Sequence, residues 1–357
     1  MNTSAKQHHA LTELLGPNAG IRLPIVQAPM AGLQASAMAI AVCNAGGLGS
    51  LPTATLSLES LGTELALLSA NTGQPYNVNF FVHQVPAPDP ARETLWRLAL
   101  APYFKEFGID PTSVPAGPGR APFSHAAADV LEPYKPAVVS FHFGLPDTDL
   151  LKRVRSWGSK IISSATTVAE AKWLEAQGVD GVIAQGLEAG GHRGMFLTSD
   201  ITTQVSTFAL LPQIIAAVRV PVIAAGGIAD ALGVQAALGL GAVAAQVGTS
   251  YLLCHEASTS PVHRTALKSE DAKHTALTNL FTGRPARGIV NRVMRELGPM
   301  SNQAPEFPLA SSAIAPLKAR AEVEGRGDFS SLWSGQNPSG LQEIGAGEMT
   351  RRLAAQI

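Results

Sequence analysis

Short apolar runs recur along the chain, each ended by glycine, proline or a polar cluster. Eight of them read as strands: IVQAPM (25–30), GLGSL (47–51), NVNFFV (77–82), AVVSFHFG (137–144), KIISSA (160–165), GVIAQG (181–186), PVIAAGG (221–227) and AAQVGTSYL (244–252). Most are continuously apolar rather than alternating. That pattern marks strands covered on both faces by helices, because neither face meets water. Helix-like segments lie between them, among them SAMAIAVCNAGG, LESLGTELALLSANTG, TDLLKRVRSWG, TVAEAKWLEAQG and DALGVQAALGLG. Each closes on glycine, a frequent helix stop.

Strands alternating with helices predict a parallel α/β fold, and a count of eight favours a closed (β/α)8 TIM barrel over an open doubly wound sheet. The barrel core is assigned to residues 1–252. Segment 83–136 is too long for one connection, and its prolines and aromatics suggest extra helices over the barrel mouth. Beyond about 253 no strand pattern is visible. Residues 253–340 read as a mostly helical cap or substrate region, and 341–357 as a C-terminal helix packing back on the barrel.

Composition narrows the function. The 357 residues are 46% hydrophobic and carry a formal net charge of −1, with no long run of either sign. Neither nucleic acid nor an anionic membrane finds an electrostatic footprint here. No apolar run approaches the roughly 20 residues of a membrane span, and the N-terminus has no apolar signal-like region. A cytoplasmic protein is expected. Two distant cysteines, Cys43 and Cys254, make neither a disulfide framework nor a zinc site, so no metal is expected.

In a barrel of this kind, chemistry sits at the C-terminal strand ends. Those ends carry Ala28, Pro29 and Met30; Asn79; His142; Gln185 followed by the glycine turn Gly190-Gly191; Gly226-Gly227; and Gln246, Val247, Gly248 and Thr249. Loops after the last two barrel strands frequently hold a phosphate through backbone N–H groups. Gly226-Gly227 and Gly248-Thr249 at those strands favour that reading over simple tight turns. There is no Walker lysine, so a nucleoside triphosphate is not indicated. The amides of Asn79, Gln185 and Gln246 suit the donors and acceptors of a flavin or similar ring.

Alternation places Ser140, His142 and Gly144 on one face and Phe141 and Phe143 on the other. His142 then points inward at the barrel mouth, where an imidazole is a natural general base. His192 is open between touching a ligand and packing the turn. Glu188 could pair with Arg193 and order that turn, Cys254 reads as a buried small residue, and the four tyrosines could line a pocket. His8, His9, His125, His255, His263 and His274 read as solvated.

PIVQAPMAG, VSFHFG, GVDGVIAQGLEAGGHRG and PVIAAGGIADALGVQAALGLGAVAAQVGTSYL, extended by FTGRPARGIVNR, together resemble the class I nitronate monooxygenases. The resemblance implies a barrel binding FMN non-covalently and oxidising alkyl nitronates, such as propionate 3-nitronate, with O2. It implies flavin contacts at Asn79, Gln185, Gly190, Gly227 and Gln246 to Thr249, and His142 as the catalytic histidine. The rival reading is an NAD(P)H-dependent FMN reductase, acting on quinones or enoyl thioesters on the same barrel. The nitronate reading expects a nitronate or nitroalkane substrate and O2 as partners, with no nucleic acid and no membrane.

Overall fold

The computed structural model describes residues 14–15, 20–111, 114 and 120–357. Its strands are β1 (Ile25–Gln27), β2 (Gly49–Pro52), β3 (Tyr76–Phe81), β4 (Val138–His142), β5 (Lys160–Ala165), β6 (Gly181–Gln185), β7 (Gly191–His192), β8 (Val222–Ala225), β9 (Ala244–Val247), β10 (Thr275–Thr278) and β11 (Ala286–Ile289). Eight form one parallel sheet in the order β1-β9-β8-β6-β5-β4-β3-β2. The two ends of that order meet through a parallel bridge between Val26 and Leu48. Gln27 N donates to Leu48 O at 2.9 Å and Leu48 N to Ile25 O at 2.8 Å, which brings the ring to closure. All eight predicted strands are present, most trimmed by a residue or more at their ends.

The apolar runs are buried on both sides, as their composition demands. Val26, Val138, Ile162, Ile183 and Ile223 fill the barrel interior. Val78, Val139, Phe141, Ile161 and Val182 face outward against the surrounding helices. Near the C-terminal ends the interior positions turn polar: Asn79, Ser140, His142, Ser164, Gln185 and Gln246. Helix starts are fixed locally. Asp230, for example, caps Ala231–Gly239 by accepting from Gly233 N at 2.8 Å.

Two corrections to the sequence analysis concern the fold. The tail contains strands: β10 pairs antiparallel with β11, and β11 pairs with β7, the glycine turn after β6. This small sheet ties the tail to the barrel mouth. β11 carries Arg287 and two small residues and shows neither a continuous apolar run nor alternation, so no local pattern marks it. The second correction concerns Phe143. Its φ of 75° breaks the strand alternation, an uncommon conformation for a residue with a side chain. Its ring joins Phe81 and Phe307 at the mouth instead of sharing the outer face with Phe141.

A second core lies over the mouth. Helix Pro90–Glu106 packs on helix Ala310–Val323 around Trp96, Leu100, Phe104 and Leu317. Each such buried side chain contributes about 2 kcal/mol of transfer free energy. Helix Ala346–Leu353 packs Met349 and Leu353 against Met38 and Val42 of helix Ser36–Ala45. No helix among the described residues is long and apolar enough to cross a membrane. Among the same residues no group of three or more His, Cys, Asp or Glu side chains is placed to hold a metal.

Candidate active site

A cavity opens at the C-terminal ends of the barrel strands, with about 1200 Å³ of empty space including its mouth. β1 contributes Ala28, Pro29 and Met30 to its wall, β3 Asn79, β4 His142 and β6 Gln185. Gly190, Gly191, Gly226, Gly227, Gln246, Gly248 and Thr249 complete the set singled out in the sequence. Val247 is the exception. Its side chain packs in the core with Ile25 and Tyr251, and its carbonyl accepts from Ala28 N at 2.8 Å.

The glycine turn is held from within the protein. Gln185 Nε2 donates to His192 O at 2.9 Å, and Gln185 Oε1 accepts from Gly194 N at 2.7 Å. The buried guanidinium of Arg193 donates to Gly186 O at 2.7 Å, Gln185 O at 2.8 Å and Gln204 Oε1 at 2.9 Å. Glu188 does not form the expected pair with Arg193. It accepts from Thr207 N and Thr207 Oγ1 at 2.8 and 2.9 Å. The glycines answer to neighbours as well. A Cβ at Gly190 would lie 2.6 Å from Gly335 N, and one at Gly194 would lie 2.9 Å from His142 Cε1. Neither contact is tolerable, so backbone must pass at both points.

His142 sits where that turn meets the cavity. Its Nε2 is 3.2 Å from His192 O, and its Nδ1 is 3.1 Å from Ser164 Oγ. A carbonyl only accepts, so Nε2 carries the proton and the lone pair lies on Nδ1. Burial lowers the imidazole pKa from 6.5 to about 3, aided by the charges of Arg284 and Arg193. The hydrogen bond to His192 O opposes that shift without cancelling it. His142 is therefore neutral near physiological pH. His192 packs the mouth, with its ring 5.3 Å from Phe307 and its Nε2 2.9 Å from Thr282 Oγ1, and it also lines the cavity.

Several site residues escaped sequence reasoning. Ser164 follows from strand parity, two residues after the interior Ile162. Trp333, Ser334, Gly335 and Asn337 form a strap over the glycine pairs. Gly335 N donates to Thr249 Oγ1 at 2.9 Å and Asn337 Nδ2 to Gly227 O at 3.0 Å. Nothing local in their sequence announces this. His263 is the one clear misreading among the histidines. It is buried, and its Nε2 lies 3.1 Å from Trp333 O. His125, His255 and His274 are exposed as expected; His8 and His9 lie outside the described residues. Cys254 is buried with its thiol pushed up to about 12, and no tyrosine lines the cavity among the described residues.

Burial holds His83, His142, His192 and His263 all below the usual histidine range, His263 at about 4. The unfolded chain therefore binds more protons below about pH 6.5 than the folded one, and folding stability falls as the pH drops through that value. His263 alone should contribute a loss of about 1.4 kcal/mol per pH unit between 6.5 and its folded pKa. Urea midpoints at pH 7 and pH 5 check this. Equal midpoints would contradict the burial of these rings.

An eight-stranded parallel barrel with a glycine-edged cavity and a neutral histidine at the C-terminal ends of its strands defines a (β/α)8 barrel with a ligand site where such barrels carry one. More narrowly, the chain belongs to the nitronate monooxygenase family, whose profile matches residues 12–355. It is 40% identical over 351 residues to a nitronate monooxygenase of Paraburkholderia phytofirmans, covering 96% of this chain and 94% of the relative. It is likewise 40% identical to one from Pseudomonas aeruginosa, covering 95% and 97%. Among solved structures it resembles a nitroalkane oxidase from Streptomyces ansochromogenes, with TM-score 0.85, 38% identity and 97% of both chains covered. FabK from Thermotoga maritima is similar at TM-score 0.70 and 26% identity, over 96% and 94%. The chain is thus a flavin-dependent oxidoreductase.

Proposed function

We propose that this enzyme oxidises alkyl nitronates with O2 to a carbonyl product and nitrite, using FMN, with His142 as base or anion stabiliser. The observation that carries the reading is His142 itself, a neutral imidazole on the cavity wall among the residues proposed to hold the flavin. The cavity fits that cofactor. Gln246 Oε1 is buried, belongs to a cavity-lining residue and has no hydrogen-bond partner among the described residues, an arrangement that asks for a ligand donor. Gly226-Gly227 and Gly248-Thr249 stand where such barrels hold a phosphate. Residues 253–340 then act as the substrate-side cap, with helix Pro90–Glu106 packed against it; helix His125–Leu131, expected over the mouth, packs instead on the barrel's outer face beside Val139 and Phe141.

Bound flavin supplies the electron sink and the reaction with O2. The protein's part is positional and protonic. A nitronate arrives already deprotonated, so no base is needed and His142 serves to place it. For a neutral nitroalkane, Nδ1 takes the α-proton once the Ser164 hydroxyl, which donates to it here at 3.1 Å, turns away. The aromatic rings of Phe81, Phe143 and Phe307 keep the mouth dry. Physiologically, the reading is detoxification of nitro compounds, and unchanged sensitivity to propionate 3-nitronate after gene deletion would count against it.

The test is anaerobic mixing of the purified holoenzyme with propionate 3-nitronate, and separately with NADH, while the visible flavin absorbance is followed. Bleaching by the nitronate and none by NADH is the expected result. Rapid bleaching by NADH alone would move the assignment to a reductase.

A further inference from the structure

Arg120 is the one charged side chain among the described residues lining the cavity; no Asp or Glu lines it. Its guanidinium stands 5.5 Å from the Phe307 ring centroid. It makes no ion pair among the described residues, and the stretch that precedes it, PTSVPAGPG, holds no acid. Burial pulls its pKa down, and no carboxylate offsets that. A half-buried cation without a counter-charge is costly unless a ligand supplies one.

The surroundings set where that ligand group lies. After burial, Arg120 and Arg284 are the cations that weigh on His192 and His83. The cations that weigh on His142 are instead Arg284 and Arg193. Arg120 thus acts on the rings beside Phe307, over which its guanidinium lies, and not on the base. Between them is an apolar stretch, with Phe81 5.6 Å from His142 and 6.1 Å from Phe307, ring centre to ring centre. The order across the site is base, aromatic wall, arginine.

We propose that Arg120 is a specificity-determining residue that holds a second anionic group, at the end of the substrate remote from the reacting carbon. This rests on the nitronate reading above. Propionate 3-nitronate, the substrate of that reading, offers such a group: with its nitronate at His142 and its carbon spacer along Phe81, its carboxylate falls to the Arg120 guanidinium. An arginine fork suits a carboxylate better than a lysine ammonium does.

The experiment compares steady-state oxidation of propionate 3-nitronate with that of propyl-1-nitronate, which lacks the carboxylate, in wild type, Arg120→Gln and Arg120→Lys holoenzymes. Wild type should favour the dianion. Arg120→Gln should lower kcat/KM for the dianion by about 10- to 100-fold, mainly through KM, and change it less than about threefold for the monoanion. Arg120→Lys should fall between. Equal losses on both substrates, or none on either, overturn the proposal. Should the variants fail to fold, wild type still decides: equal kcat/KM for the two nitronates, at low salt and at high, overturns the proposal alone. If wild type oxidises neither nitronate, the functional reading fails and the inference falls with it.

Discussion

Replacing His142 with alanine is expected to lower kcat/KM for nitronate oxidation by about 10²- to 10⁴-fold, the range of a positioned acid–base group. The ring is held at both nitrogens, by His192 O and Ser164 Oγ, so its loss removes a fixed partner for the substrate and not a mobile side chain. Flavin content should survive, because the glycine pairs and Gln246 are untouched. The pH profile carries a second signature. With the folded pKa lowered to about 3, the imidazole stays unprotonated throughout the neutral range. The kcat/KM of the wild type should therefore show no acid-limb break attributable to free His142 between about pH 5 and 8. A break near the ordinary histidine value, abolished by His142→Ala, would mean that the ring is solvated and the geometry described above is wrong. Activity within a few-fold of wild type in the variant would remove His142 from the mechanism.

Replacing Arg193 with methionine is expected to destabilise the fold by about 3 kcal/mol and to release flavin. Methionine fills much of the volume but takes the Arg193 donor from Gln185 O and Gln204 Oε1 in a site closed to water, while Gly186 O keeps Ala189 N. Each buried acceptor so stranded costs about 1–3 kcal/mol. The damage should spread beyond stability. Arg193 fixes the turn that presents His192 O to both Gln185 and His142, and that turn is β7, to which the tail sheet is joined. Chemical denaturation would give the stability change, and absorbance after desalting would give the retained flavin. A variant as stable as wild type that keeps its cofactor would show that the turn is held by β11 alone.

How far the sequence could be read depends on the range of the interactions. The eight strands were legible because two-sided burial writes itself into each run independently, as in VVSF or GVIA. Alternation placed His142 inward correctly. It failed one residue later, because Phe143 adopts a positive φ and no periodicity encodes a single backbone outlier. The glycine turn was legible as a special place but not for its reason. Gly190 and Gly194 are required by Gly335 and His142, residues far away in the chain. Arg193 was read as a possible partner of Glu188, since both are charged and close in sequence. The folded chain instead satisfies Glu188 at the start of the helix Thr207–Ala217 and Arg193 on carbonyls. His263 looked solvated because nothing nearby in sequence shows that Trp333 covers it.

The sequence by itself determined the barrel, the end of it at which the cavity lies, and most of the residues that face that cavity. Those properties follow from burial and side-chain parity, which act over a few residues and repeat from strand to strand. Only the tertiary structure decided what closes the site. The strap at 333–337, the sheet joining β7 to β11, the half-buried Arg120 and the tautomer of His142 each arise from contacts between distant segments. Such contacts are fixed by the packing of the whole chain, and no local pattern of hydrophobic and polar residues records them.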